Sequence, residues 1–392
     1  MRPTGKYCAA SLLLALAVSL ASQAMARELP TDLDASVQQA ARQVMQQYGI
    51  PGLAIGVTAQ GEQRFYNYGV ASKATQQAVT SDTLFEVGSV SKTLTVALAT
   101  YAETLDKLQL TASPSRYLPE LKGSKLDQVT LINLATHTAG GFSLQLPDGV
   151  RTRHQLMDYY RAWQPQYAPG TYRTYANPSI GLLGVVAASS LDKPYVAAME
   201  SVLLPKLGMG NTFIEVPADA MPRYAQGYNK HDAPVRVNPA MLANEAYGVK
   251  TSSKDLLHFV EAHLGQVPLE AGLQRSIDAT RTGYYKVGAM TQDLIWEQYS
   301  YPVALETLVK GNGSQMVLES HAVTAIEPPL PPQKAVWVNK TGATDGFGAY
   351  VAFVPEKQLG IVLLANKNYP NEERVKLAYR ILGELEAGQK TR

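Results

Sequence analysis

Apolar residues recur at helical spacing over residues 31–48. Val37, Ala41, Val44, Met45 and Tyr48 fall on one face, and Asp32 or Asp34 stands ready to cap the start. The period then changes. Residues 52–57 and 64–70 read as strands rich in aromatic and β-branched side chains, and Gln60-Gly61 between them suits a hairpin turn. From Ser89 to about Leu105 the pattern is helical again. Residues 128–280 read as mostly helical, with long loops holding Pro and Gly. Within them, residues 226–247 show little periodicity, and long loops in compact proteins are often functional. After about residue 335 strands return: residues 336–340, 348–354 and 360–365 alternate or run apolar, and an amphipathic helix covers residues 372–386. Strands at both ends with helices between predict an α+β fold. An antiparallel sheet is assembled from N- and C-terminal strands flanked by helices, and a mostly helical part is inserted in the middle. Residues 27–105 and 281–392 fall to the α/β part and residues 106–280 to the helical part. The crevice between them is where a site is expected.

The chain start changes where this fold resides. Arg2 and Lys6 form a short basic segment, residues 9–21 are apolar apart from single serines, and Ala24-Met25-Ala26 is a small-residue cleavage site. Residues 1–26 therefore read as a signal peptide and residues 27–392 as the mature chain. The apolar run is short for a membrane span. The one cysteine, Cys8, precedes that run, which argues against a lipid anchor, and cleavage removes it. Disulfides and thiolate chemistry are thereby excluded. The net charge is +2, and losing Arg2 and Lys6 leaves basic and acidic residues equal in number. That balance gives no reason to expect nucleic acid or an anionic membrane as a partner. The six histidines form no H-x-H or H-E-x-x-H, so no metal or other cofactor is called for.

Candidate chemistry begins at Ser89-Val90-Ser91-Lys92, an S-x-x-K. A serine hydroxyl is a weak nucleophile until a base takes its proton. Residues i and i+3 share a helix face, so Lys92 is expected beside the Ser89 hydroxyl. The helix N-terminus offers N–H groups where an oxyanion develops. A second copy, Ser190-Leu191-Asp192-Lys193, runs directly into Pro194, which disfavours helix there, and reads as chance. Tyr175-Ala176-Asn177 and then Lys340-Thr341-Gly342 follow Ser89 in order. Y-x-N has a decoy in Tyr369-Pro370-Asn371, whereas K-T-G occurs once, at the end of an expected strand.

At these residues the chain resembles the serine β-lactamases and penicillin-binding proteins. The Y-x-N makes it most similar to the class C β-lactamases, or cephalosporinases. The resemblance spans the mature chain and includes Phe85-Glu86-Val87-Gly88-Ser89, Thr136-His137-Thr138-Ala139-Gly140-Gly141, Tyr247-Gly248-Val249-Lys250 and Leu364-Ala365-Asn366-Lys367-Asn368. It implies a periplasmic, monomeric hydrolase that opens the β-lactam ring of cephalosporins and penicillins. Ser89 attacks the ring, and Lys92 and Tyr175 handle its proton. The N–H groups of Ser89 and Ala343 form the oxyanion hole. Lys340, Thr341 and Asn368 contact the substrate carboxylate, Gly342 lets the substrate lie close against the backbone, and Gln145 and Asn177 contact its side-chain amide. Free Tyr and Lys both titrate near ~10, so one must be shifted to act as a base at neutral pH. Which one holds the proton stays open. Two residues depart from the family: Asp345 stands where a neutral residue is usual, and Ile295 replaces the common glycine before Trp296-Glu297.

Blander readings compete. Ser89 is also a good helix cap, and Tyr175 is one of 22 tyrosines. His137 reads as a structural hydrogen-bonder rather than a catalytic base, since no acid near it in sequence would orient it. Trp296 and Glu297 fit either packing or the site edge. A DD-peptidase or esterase of the same fold would share Ser89, Lys92 and Tyr175. A β-lactam sensor would be expected to carry a membrane segment or signalling module.

Overall fold

The computed structural model describes residues 31–390; the signal-peptide reading of residues 1–26 and the Cys8 argument lie outside them. Helix α1 (Thr31–Tyr48) leads into strands β1 (Gly52–Ala59) and β2 (Glu62–Gly69). The turn between them has positive φ at both Gln60 (54°) and Gly61 (88°), as a tight hairpin turn needs. Helix α2 (Ser91–Thr104) follows, then strand β3 (Tyr172–Thr174) and helix α3 (Asn177–Ser190). Helices α4 (Ser253–His263) and α5 (Ala271–Ala279) precede strands β4 (Gly283–Val287), β5 (Met290–Asp293), β6 (Glu297–Ser300) and β7 (Thr324–Leu330). Strands β8 (Val336–Ala343), β9 (Gly348–Val354) and β10 (Leu359–Ala365) and helix α6 (Asn371–Lys390) complete the chain.

One nine-stranded sheet runs in the order β7-β4-β5-β6-β8-β9-β10-β1-β2, with every pairing antiparallel. Both its faces are covered, and the side chains sort by strict alternation. Tyr350, Ala352 and Val354 of β9 join α1 and α6 in one core, as do Leu359, Ile361 and Leu363 of β10. Ala349, Val351 and Phe353 of β9, with Val362 and Leu364 of β10, face the other way, where α4 packs on them, into a core shared with α2, α3 and α5. A strand buried on both sides needs no polar alternation, which is why β9 and β10 are apolar throughout their length. Helix α2 is enclosed almost all round and packs on α3 and α5.

The expected fold class holds, with two differences in detail. The strands of the large sheet resume at residue 283, not at about 335, because β4 to β7 precede β8. The segment 226–247 is not one featureless loop: it holds the strand pair Gly227–Tyr228 and Pro234–Val235, and a helical turn at Ala243–Ala246. Among the described residues no helix is long and apolar enough to cross a membrane.

Ile295 sits in the β5–β6 turn with φ 71°, a left-handed conformation that is a genuine outlier for a β-branched residue. Its side chain and that of Leu294 are fully buried in the core facing α2. Strain of about 1–2 kcal/mol is thus set against a core side chain whose removal costs ~2–5 kcal/mol. Ile295→Gly relieves the strain but empties the site, so a net destabilisation of about 1–3 kcal/mol is expected. Denaturant midpoints would measure it, and a more stable glycine variant would show that strain outweighs packing.

Candidate active site

The motif residues meet where the end of β8 abuts the turn that starts α2. Gly88 has φ 50° and opens a 3-10 turn, Gly88–Val90, from which α2 continues. A Cβ on Gly88 would lie 2.4 Å from the Ala343 carbonyl oxygen, and one on Gly342 would lie 2.1 Å from that of Val87. Only glycine lets these two backbones approach so closely. The contact sets the Ala343 peptide beside the turn that carries Ser89.

Lys92 is fully buried, and its Nζ donates to Ser89 Oγ at 2.9 Å and to the Ala246 carbonyl at 2.8 Å. The second bond gives the helical turn at residues 243–246 a role, since it helps to aim the ammonium. Tyr175, buried at 5% exposure, presents its ring to three cations: Lys92 Nζ at 5.2 Å from the centroid, Lys340 Nζ at 5.3 Å and Arg173 Cζ at 5.6 Å. Burial pulls the Lys92 ammonium down to about 8, helped by Lys340 and opposed by Tyr175. Burial pushes the Tyr175 phenol up, but Lys340, Lys92 and hydrogen bonding to Ser89 and Lys92 outweigh it and pull it down to about 8. Two groups that free in water titrate near ~10 are thus both brought within reach of neutral pH.

A cleft of about 180 Å³ is lined by Ser89, Tyr175, Lys340, Thr341, Gly342 and Ala343. Lys92 lies beneath it. Lys340 is buried in the wall and donates to the Thr341 carbonyl. Asn177, at the first residue of α3, donates from Nδ2 to Gln145 Oε1 at 2.9 Å, while its own Oδ1 is buried without a partner. Gln145 borders a second, wider depression that also reaches Tyr247. Asn368 is exposed and does not line the cleft, and its amide oxygen accepts from the buried Arg374. Asn371 does line the cleft, although it belongs to the second Y-x-N of the sequence.

Of the undecided pair, Trp296 is core and Glu297 forms part of the cleft wall. Glu297 pairs with Arg173 at 2.9 Å, with both side chains buried. Arg173 also donates to Gln292 Oε1 and to the Met316 carbonyl. Apart from Glu297, already a candidate for the site edge, the members of this network carry no sequence signal, because they come from β3, β5 and the segment before β7. Asp345 stands exposed in the β8–β9 turn. The second S-x-x-K is no site: Ser190 ends α3, donates to the Ala187 carbonyl, and Lys193 is exposed.

Comparison with known proteins agrees with this geometry. The family model described as Beta-lactamase matches residues 37–386. A β-lactamase of Lysobacter lactamgenus is 55% identical over 350 residues, 89% of this chain and 91% of that one. A solved β-lactamase/D-alanine carboxypeptidase from Pseudomonas syringae superposes with a TM-score of 0.89 at 59% identity, covering 90% of this chain and 99% of that one. A class C β-lactamase solved in complex with cefoxitin gives 0.88 at 51% identity, covering 90% and 98%.

Proposed function

The chain belongs to the β-lactamase family, and on that premise we propose that it is a class C serine hydrolase that opens the β-lactam ring of cephalosporins and penicillins. The observation that carries this reading is the buried Lys92 Nζ, 2.9 Å from Ser89 Oγ, beside a phenol pulled down to about 8. Ser89 Oγ attacks the lactam carbonyl as its proton passes to the Tyr175–Lys92 pair. The two groups titrate close together, so the proton belongs to the pair rather than to either residue. The oxyanion is received by the N–H groups of Ser89 and Ala343. The C–N bond then breaks, and the ring nitrogen takes a proton from the pair. Tyr175 next draws a proton from water, which attacks the ester; the C–O bond breaks and that proton passes to Ser89 Oγ, restoring the free enzyme.

Lys340, Thr341 and Gly342 receive the substrate carboxylate. Asn368 has only its amide nitrogen to offer, since its oxygen is engaged by Arg374. Asn371 is the amide placed on the cleft wall. Gln145 and Asn177, joined by their own hydrogen bond, are the pair assigned to the side-chain amide, Gln145 from the rim of the wider depression and Asn177 from the buried position behind it. In this reading residues 1–26 are cleaved on export and the enzyme works in the periplasm as a monomer. Residues 27–105 and 281–392 form its α/β part and residues 106–280 its helical part.

A D-alanine carboxypeptidase reading is favoured by the names of two solved relatives, the double name of the Pseudomonas syringae protein and a D-alanine carboxypeptidase from Burkholderia cenocepacia that is 50% identical. Both readings share acylation and part at deacylation. Purified protein is expected to turn over a chromogenic cephalosporin many times per active site. Stoichiometric acylation without release, with D-alanine liberated from a D-alanyl-D-alanine peptide, would replace the lactamase reading with the peptidase one.

A further inference from the structure

We propose that His137 is a positioning residue for this reaction, holding the Tyr175 phenol against Ser89, Lys92 and Lys340 by accepting the N–H groups of its two sequence neighbours, Thr174 and Ala176. The inference rests on the hydrolytic role proposed for Tyr175. The Thr174 N–H donates to the His137 carbonyl at 2.9 Å, and the Ala176 N–H donates to His137 Nδ1 at 3.3 Å. One residue therefore takes the N–H groups on both sides of Tyr175. The next N–H, of Asn177, goes to the Leu144 carbonyl at 2.9 Å, so the loop after His137 continues the clamp. The imidazole also lies on the tyrosine, with centroids 4.3 Å apart and the planes tilted by 46°.

The backbone at His137 is shaped for this double contact. Its φ is 60°, a left-handed conformation that turns the carbonyl and the ring toward the same strand. Helix α3 gains as well. Ala176 precedes its first turn and has no side-chain cap of its own, so His137 Nδ1 satisfies an N–H at the helix entry.

The ring has to stay neutral to do this. Nδ1 accepts a hydrogen bond, so the single ring proton resides on Nε2, which is buried without an acceptor. Burial holds its pKa well below the usual histidine value, and Arg173 on β3, Lys92 on α2 and Lys340 on β8 add to the effect. The carboxylate among these cations, Glu297 on β6, is engaged by Arg173. Protonation would remove the acceptor and set a fourth cation beside Tyr175. The same contacts rule out His137 as the base: it does not line the cleft, and its one free lone pair is occupied.

Two variants separate the acceptor from the ring. His137→Asn keeps an oxygen near the Nδ1 position and tolerates positive φ, but loses the ring. His137→Phe keeps the ring and strands the Ala176 N–H. Asn is expected to keep kcat within about tenfold of the parent. Phe is expected to lose about 10²-fold in kcat with little change in KM, the low end of what acid–base catalysis supplies. The acid limb of its kcat/KM profile should also move to higher pH, since a phenol loosened from Lys92 and Lys340 loses the charges that lower its pKa. If the Phe variant does not fold, His137→Gln reads the same variable, because its oxygen sits one bond too far out. Parental kcat and acid limb in the Phe or Gln variant, or equal losses in Asn and Phe, would overturn the clamp. A parent enzyme that releases no product would overturn the hydrolytic reading itself, so the two failures are distinguishable.

Discussion

Ser89→Ala is expected to abolish covalent labelling by β-lactams and to lower turnover by on the order of 10⁴–10⁶. No other hydroxyl in the cleft has the same surroundings. Thr341 lines it too, but the Lys92 ammonium is directed at Ser89 Oγ, at 2.9 Å. Ser190 looks similar in sequence, yet its hydroxyl donates to the Ala187 carbonyl at the end of α3. The fold should survive. Val87 and Gly88, not the Ser89 side chain, make the tight contact with β8. Intact-mass spectrometry after exposure to a cephalosporin decides the matter, with circular dichroism as the control for folding. An acyl adduct on the alanine variant would mean that another nucleophile operates.

The contrast between Ser89 and Ser190 shows what sequence spacing conveys. Ser89 and Lys92 are neighbours on one turn, so the i, i+3 rule brings them together without knowledge of the fold. The K-T-G reads well for a related reason: its glycine falls where a strand end must meet another backbone. Residues joined by tertiary structure leave no such trace. Arg173 and Glu297 are 124 positions apart, and His137 lies 39 positions from Ala176. His137 and Glu297 stand out in the sequence only through the resemblance, and nothing in the spacing shows which residues they hold. Asn371 is the instructive case, because it belongs to a motif that reads as a decoy in the sequence. Its partner Tyr369 is buried in the core, while Asn371 alone reaches the cleft.

The same logic explains which strands were legible. Strands β9 and β10 are apolar on both faces and stand out. Strands β5 and β6 carry Thr291, Gln292, Asp293, Glu297 and Gln298, all buried. Gln292 and Glu297 are there to hold Arg173, so these strands break the hydrophobic pattern for the sake of the site. Strand β7 contains Pro328 and Pro329 and lies at the sheet edge, where proline is tolerated and strand signals are weakest.

Tyr175→Phe is expected to lower turnover by about 10²–10⁴ while leaving the fold nearly unchanged. Phenylalanine keeps the ring, hence the contact with His137 and the face turned to Lys92, Lys340 and Arg173. Only the hydroxyl is lost, and with it one of the two groups drawn down to about 8. What remains is Lys92. In the parent, Tyr175 raises the Lys92 pKa, whereas burial and Lys340 lower it. Removing the phenol deletes the raising influence, so more of Lys92 is neutral at a given pH and able to accept the Ser89 proton. Acylation is therefore the step that survives better. Deacylation, which needs a base facing the incoming water, suffers more, and acyl-enzyme should accumulate in rapid-quench mass spectra. The sign of the pH effect follows. The residual acylation depends on deprotonated Lys92, whose pKa has fallen, so its acid limb should lie at lower pH than the parent's. That is opposite in direction to the shift expected for His137→Phe, in which the phenol is kept but loosened. Parental turnover in the Tyr175→Phe variant would show that the proton route runs through Lys92 alone and that Tyr175 serves only as packing.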